Sequence, residues 1–207
     1  MANREPVGGF ILAGGRSSRM GRAKGLLEFA GEPLVVHAAR LLEFTGEPRI
    51  PPIIIGPLEV YANLGIRVVP DDGESLGPLG GISTALRIAT REWNLIVGCD
   101  LPFLTREWLE FLIAQTAGSS ADVVMPLNER GFKPLCAMYR KSARCGIAEA
   151  LERGVRKVTD GLAGLSLASV APAEWKAFDP RGRLFKNVNT PKDYDEARES
   201  LEEKAAW

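Results

Sequence analysis

Residues Leu12 to Gly25, LAGGRSSRMGRAKG, form the stretch of this chain richest in groups able to do chemistry. Gly14 and Gly15 lack a Cβ, so the backbone there can turn tightly and approach an anion closely. Successive N–H groups in such a turn make a concave nest for phosphate oxygens. Arg16, Arg19, Arg22 and Lys24 add positive charge within the same loop. A guanidinium grips phosphate with a two-pronged fork, and an ammonium acts as a mobile point charge. The order GxxxxGK[ST] is missing because Gly25 follows Lys24, and GxGxxG is missing as well. The stretch therefore reads as a phosphate-binding loop outside those two templates. A glycine turn with solvated arginines is the bland alternative.

Three further positions join it. Asn94 to Asp100 reads NLIVGCD, then LPFLT. A buried strand here ends in one carboxylate, and Pro102 turns the chain. A hard oxygen at that point suits Mg²⁺, which uses one or two protein carboxylates together with waters and substrate phosphates. A turn or helix-entry Asp is the alternative. Val68 to Asp72 reads VVPDD before GESLGPLGG. Asp71 can accept two hydrogen bonds at once, which matches the ring N–H and exocyclic amine of guanine. A loop Asp bonding its own backbone fits the same sequence. Phe185 to Pro191 reads FKNVNTP, where Asn187 and Asn189 share a face if the piece is extended. They could ligate a metal, hold a polar substrate or cap the last helix. Gly154 to Lys157, GVRK, is a smaller basic cluster that reads first as a solvated helix start.

The elements that must carry these residues alternate. Strands are expected at Gly9 to Ala13, Pro52 to Ile55, Ile66 to Val69, Asn94 to Gly98, Asp122 to Pro126 and Pro134 to Tyr139. Their near-continuous hydrophobicity implies burial on both faces. Helices are expected at Leu34 to Phe44, Leu79 to Thr90, Arg106 to Thr116, Ser142 to Arg153 and Pro191 to Glu202. Thr105 and Thr190 stand at cap positions, the second followed by Pro191. Gly161 to Asp179 receives no assignment. Such β–α alternation predicts a mostly parallel sheet between two layers of helices, with ligands at the carboxyl ends of strands. That rule gathers the loops after Ala13, Val69 and Gly98.

At 207 residues the chain fits one α/β domain. A formal net charge of zero argues against a general nucleic-acid binder. No apolar run reaches membrane-spanning length, and the N-terminal residues do not read as an export segment. Cys99, Cys136 and Cys145 are odd in number and widely spaced. They read as small core residues in a reducing, cytoplasmic compartment rather than a disulfide or zinc framework. The one histidine, His37, falls in a helix far from any nucleophile elbow, so a triad mechanism is not expected.

LAGG-x-S-x-RMG-x-x-KG, PD before GPL-x-GI, CD-x-PFL, KPLCAMY, G-x-RKV and NVNTP occur here in order from Leu12 to about Tyr194. Together they resemble the molybdenum cofactor guanylyltransferase family. The resemblance implies a three-layer α/β/α Rossmann-like nucleotidyltransferase fold with a nucleotide-binding half at about 7–105 and an acceptor-binding half at about 106–195. It implies transfer of GMP from GTP to the phosphate of molybdenum-molybdopterin with Mg²⁺ as cofactor. Molybdoenzymes or their chaperones would be onward partners, and neither nucleic acid nor membrane is involved. Carried over, Leu12, Ala13 and Gly14 would contact GTP through backbone, and Lys24 would hold its phosphates with Gly15 and Arg19. Asp71 would contact the nucleotide, Asp100 would bind Mg²⁺, and Asn187, Asn189 and Arg156 would face the acceptor. Relatives using CTP tend to carry LAAG and a Gln after the metal-motif Asp, whereas Gly14-Gly15 and Leu101 stand here. Ile54-Ile55-Gly56-Pro57 stands where the family often places an Asn. The loop and the Asp are shared with sugar-phosphate nucleotidyltransferases, and a non-catalytic nucleotide-binding protein is the reading from another class.

Overall fold

The computed structural model describes residues 6–14, 23–43, 51–72, 76–129 and 131–205. The strands are β1 (Gly8–Leu12), β2 (Glu28–Phe29), β3 (Glu32–Pro33), β4 (Ile53–Ile55), β5 (Val68–Val69), β6 (Trp93–Gly98), β7 (Val123–Asn128), β8 (Gly131–Phe132), β9 (Cys136–Arg140) and β10 (Leu167–Val170). The helices are α1 (Leu34–Leu42), α2 (Leu58–Tyr61), α3 (Gly77–Ile88), α4 (Arg106–Ala114), α5 (Arg144–Glu152), α6 (Val158–Gly161), α7 (Pro172–Trp175) and α8 (Pro191–Ala205). The main sheet runs β10-β7-β9-β6-β1-β4-β5, with β8 paired to β7. β1, β4, β5 and β6 run parallel, as do β7 and β10. β9 lies antiparallel between β6 and β7. The sheet is thus mixed and mostly parallel.

Alternation along the central strands explains why helices cover both faces. Ile11 of β1, Leu95 and Val97 of β6 and Met138 of β9 point into one core with Val35 and Leu42 of α1 and Trp108 of α4. Phe10, Leu12, Ile96, Ala137 and Tyr139 point into the other, with Leu79 and Ile82 of α3 and Ile147 of α5. Residues apolar at every position of a strand need an apolar layer on each side. Thr105 caps α4 by accepting the Trp108 N–H at 3.3 Å. The predicted elements are found, with ends shifted by a few residues. The short α2, α6 and β8 were not expected, and β10 and α7 fall in the unassigned Gly161 to Asp179 stretch. β10 is a short edge strand with only Val170 fully buried, so no apolar alternation marks it. The β2–β3 hairpin was also missed. It turns through Ala30 (φ 54°) and Gly31 (φ 83°), a left-handed pair suited to a two-residue loop. Cys99 and Cys136 are buried as expected, but Cys145 is exposed on α5, which corrects the core assignment for that residue.

Asp122 fastens β10 to β7. Its Oδ2 accepts the Ser166 backbone N–H at 3.0 Å and the Ser166 hydroxyl at 2.8 Å, and its Oδ1 accepts the Ser142 hydroxyl at 3.3 Å. The Ser166 backbone bond, then its hydroxyl, hold the carboxyl below its ordinary value. A lowered folded value means the ionised group stabilises the fold above the ordinary carboxylate range and loses that contribution as pH falls through the folded value. The stability gap between wild type and Asp122→Asn, read from urea midpoints, is therefore expected to shrink below about pH 4. A gap independent of pH would remove the charge from this role.

Candidate active site

The carboxyl ends of β1, β5 and β6 bring the sequence-selected residues to one side of the sheet. β1 ends in Leu12 and Ala13. The Leu12 carbonyl accepts the Cys99 N–H at 3.1 Å, and the Ala13 N–H donates to the Ile55 carbonyl at 2.9 Å. The Ala13 carbonyl accepts the Tyr61 hydroxyl at 3.1 Å. These groups are engaged in holding the strand end, and Gly14 beyond them is exposed. Gly15, Arg16, Arg19 and Arg22 lie outside the described residues.

Lys24 re-enters at a short 3₁₀ turn, Lys24–Leu26, and meets Asp100. Its Nζ donates to Asp100 Oδ2 at 3.2 Å and to Asn189 Oδ1 at 2.6 Å. Asn187 Nδ2 donates to the same Asp100 oxygen at 3.2 Å. Lys24 and Asn187, from two distant segments, thus converge on the Asp100 carboxylate, and Asn189 joins them through Lys24. The side chains of Lys24 and Asp100 keep 24% and 15% of their surface exposed, enough to be reached by a solute. The Asp100 carbonyl also accepts the Val188 N–H at 2.9 Å, so the NVN segment lies extended along the Asp100 turn and sends both asparagines the same way. Gly98 is a required partner: a Cβ there would lie 2.6 Å from Asp100 Oδ1.

Among the described residues no group of three or more His, Cys, Asp or Glu is placed to hold a metal. The donor set at Asp100 is one hard carboxylate with amide side chains beside it. That fits Mg²⁺, which keeps several waters and takes phosphate oxygens, better than a metal needing an all-protein cage. Cys99, the cysteine beside Asp100, is buried and offers no nucleophile. Burial, and then the charge of Asp100, push the Cys99 thiol up to about 12.

Asp71 sits beside the β1 end. Thr84 of α3 donates its hydroxyl to Asp71 Oδ1 at 3.1 Å. A Cβ on Gly80 or Gly81 would lie 3.4 or 3.6 Å from the Asp71 carboxylate, and one on Gly14 would lie 4.0 Å away. Glycines therefore wall the carboxylate on two sides and leave backbone where a flat ring could lie. Arg156 does not join the cluster. Its Nη1 donates to the Leu151 and Val155 carbonyls at 3.1 and 2.9 Å, at the end of α5.

Several positioning residues escaped the sequence reading. Tyr61, almost fully buried, carries its hydroxyl to Ala13 and packs on Gly25, where a Cβ would lie 2.7 Å from the hydroxyl. It ties the end of β1 to the Lys24–Leu26 turn. Burial raises the phenol well above its ordinary value, so it stays a donor. Tyr61→Phe leaves the Ala13 carbonyl without that bond and is expected to cost about 1–2 kcal/mol in urea unfolding with an unchanged m value. Asp193 accepts the Asn189 and Thr190 N–H groups at 3.0 and 2.8 Å, while Thr190 Oγ1 accepts the Asp193 N–H at 3.1 Å. The Thr-x-x-Asp spacing is a capping-box pattern that could have revealed it. His37 bridges the Pro102 carbonyl (3.2 Å) and Glu32 (3.4 Å), a structural role behind the Asp100 turn.

A mixed, mostly parallel sheet with Gly14 following β1 and a carboxylate after β6 is the Rossmann-like nucleotidyltransferase arrangement. Molybdopterin-guanine dinucleotide biosynthesis protein A from Archaeoglobus fulgidus shares the fold, with a TM-score of 0.81 over 95% of this chain and 100% of that one at 24% identity. The MobA-like NTP transferase domain matches residues 9–167. The probable molybdenum cofactor guanylyltransferase of Pelotomaculum thermopropionicum is 37% identical over 190 residues, covering 92% of this chain and 91% of that protein. The molybdenum cofactor guanylyltransferase of Pseudomonas aeruginosa is 35% identical, covering 90% and 91%. The chain belongs to the MobA-like nucleotidyltransferases and, within them, to the molybdenum cofactor guanylyltransferase family.

Proposed function

We propose that the enzyme transfers GMP from GTP to the phosphate of molybdenum-molybdopterin and releases pyrophosphate. The observation that carries this reading is the convergence of Lys24, Asn187 and Asn189 on and around Asp100, next to the Asp71 recess. The names of the relatives point to the same transfer.

An acceptor phosphate oxygen attacks the α-phosphorus. A new P–O bond forms, the bond to the β-phosphate bridge breaks, and pyrophosphate leaves with the electron pair. The nucleophile is already anionic, so no general base is needed, which accords with a chain whose one histidine is structural. The protein's task is to bring two anions together and neutralise them. The segment 14–24 holds the triphosphate, with Lys24 on its phosphates and Gly15 and Arg19 assisting. Asp71 takes the guanine edge by accepting two N–H bonds. Asn187 and Asn189 face the acceptor. Asp100 would hold Mg²⁺, which when bound supplies charge neutralisation on the phosphates. On this reading residues of about 7–105 serve the nucleotide and those of about 106–195 the acceptor, and the protein works in the cytoplasm. No described helix is long and apolar enough to cross a membrane.

The test is incubation of the pure protein with Mg²⁺, molybdenum-molybdopterin and either GTP or CTP, following pyrophosphate and the dinucleotide product. GTP turnover well above CTP turnover is expected. Turnover with CTP alone, or with a sugar 1-phosphate as acceptor, would replace this reading.

A further inference from the structure

We propose that Lys133 and Lys157 seat the phosphate of the acceptor, in a cleft that opens from Asn187 away from the nucleotide loop; the inference rests on the guanylyl-transfer reading. The cleft has a volume of roughly 340 Å³ and is lined by Leu101, Phe132, Lys133, Lys157, Phe185 and Asn187, among others. Apolar and aromatic walls with a few polar groups are what a flat, phosphate-bearing heterocycle needs.

The sheet order places this cleft on the correct side. Asp100 follows β6, near the middle of the sheet. Lys24 and Asp71 follow β1 and β5, toward one edge, whereas Lys133 lies between β8 and β9, toward the other. Asn187 belongs to both regions, since it lines the cleft and donates to Asp100. An acceptor in the cleft would therefore lie on the other side of Asp100 from the segments that carry Lys24 and Asp71. In-line displacement requires the acceptor and the leaving group on opposite sides of the phosphorus.

Both lysines are presented by fixed backbone. The Lys133 N–H donates to the Pro126 carbonyl at 2.9 Å, and its carbonyl accepts the Cys136 N–H at 3.0 Å. The Lys157 carbonyl accepts the Gly161 N–H at 3.0 Å, closing α6. Lys157 Nζ pairs with Asp160 at 3.2 Å, but both side chains are more than half exposed. Such a pair contributes little and exchanges readily for a phosphate. The Arg156-Lys157 pair is thus divided: Arg156 closes the end of α5, and Lys157 lines the cleft.

Lys133→Ala and Lys157→Ala are each expected to raise KM for molybdenum-molybdopterin about tenfold, and the double variant about a hundredfold. GTP affinity, measured by equilibrium titration, should move less than about twofold, and Lys157→Arg should restore most of the loss because it keeps the charge. An unchanged acceptor KM in a double variant that still binds GTP and turns over would overturn the assignment. So would a rise for Arg156→Ala but for neither lysine variant. If the wild-type chain itself fails to bind GTP, the guanylyl reading falls, and the acceptor seat with it.

Discussion

Asp100→Ala is expected to lower kcat by at least about a thousandfold, roughly 4 kcal/mol of barrier, while leaving the fold intact. The side chain removed is the one on which Lys24 and Asn187 converge. On the proposed reading two anions would meet here, and without the carboxylate a divalent ion would lose its protein anchor. The backbone of the turn has its own supports, because the Asp100 carbonyl keeps the Val188 N–H and the Cys99 N–H keeps Leu12. Lys24 is partly solvated and bears the loss of its partner at small cost. The effect should therefore fall on turnover rather than on thermal stability. Asp100→Asn separates charge from shape, since it keeps the size but presents an amide to two donors. It should be nearly as inactive. An Asp100→Ala protein retaining a tenth of wild-type kcat would remove Asp100 from the chemistry.

The sequence was most legible where apolar runs were continuous. β1 and β6 are buried at every position, so their hydrophobicity announced both the strands and the helices that must cover them. Each ends next to a residue of chemical interest, and the strand-end rule for parallel sheets then brought Gly14, Asp71 and Asp100 to one side. Asn187 and Asn189 were seen to share a face, but what they face was not readable, because the partners lie 87 residues away at Asp100 and 165 residues away at Lys24. Tyr61 was invisible for a similar reason. One tyrosine in a short helix carries no sign that its hydroxyl will reach Ala13, 48 residues earlier. Within the GVRK cluster, spacing read as a solvated helix start and the resemblance singled out Arg156, not Lys157. The helix end, with carbonyls to satisfy, divides them.

Lys24→Ala is expected to lower kcat/KM by about a hundredfold or more through lost stabilisation of the charge on the transferring phosphates. Nζ already lies between two oxygens, bonded to Asp100 and Asn189. A cation in that place can follow charge as it moves from the triphosphate to the leaving pyrophosphate, so the loss should appear in kcat and not in KM for GTP alone. The backbone of Lys24 is fixed by the Leu27 N–H at 3.1 Å, and the adjacent Gly25 is packed against Tyr61. That fixed origin makes the side chain's length matter. Lys24→Arg should rescue poorly, because a broad planar fork cannot occupy the space of a point charge between a carboxylate and an amide. Asp100→Ala and Lys24→Ala should also fail to add when combined, since each removes part of one charge arrangement. Additive losses in that double variant, measured as kcat/KM, would mean that the two residues act separately and that their contact has no part in the transfer.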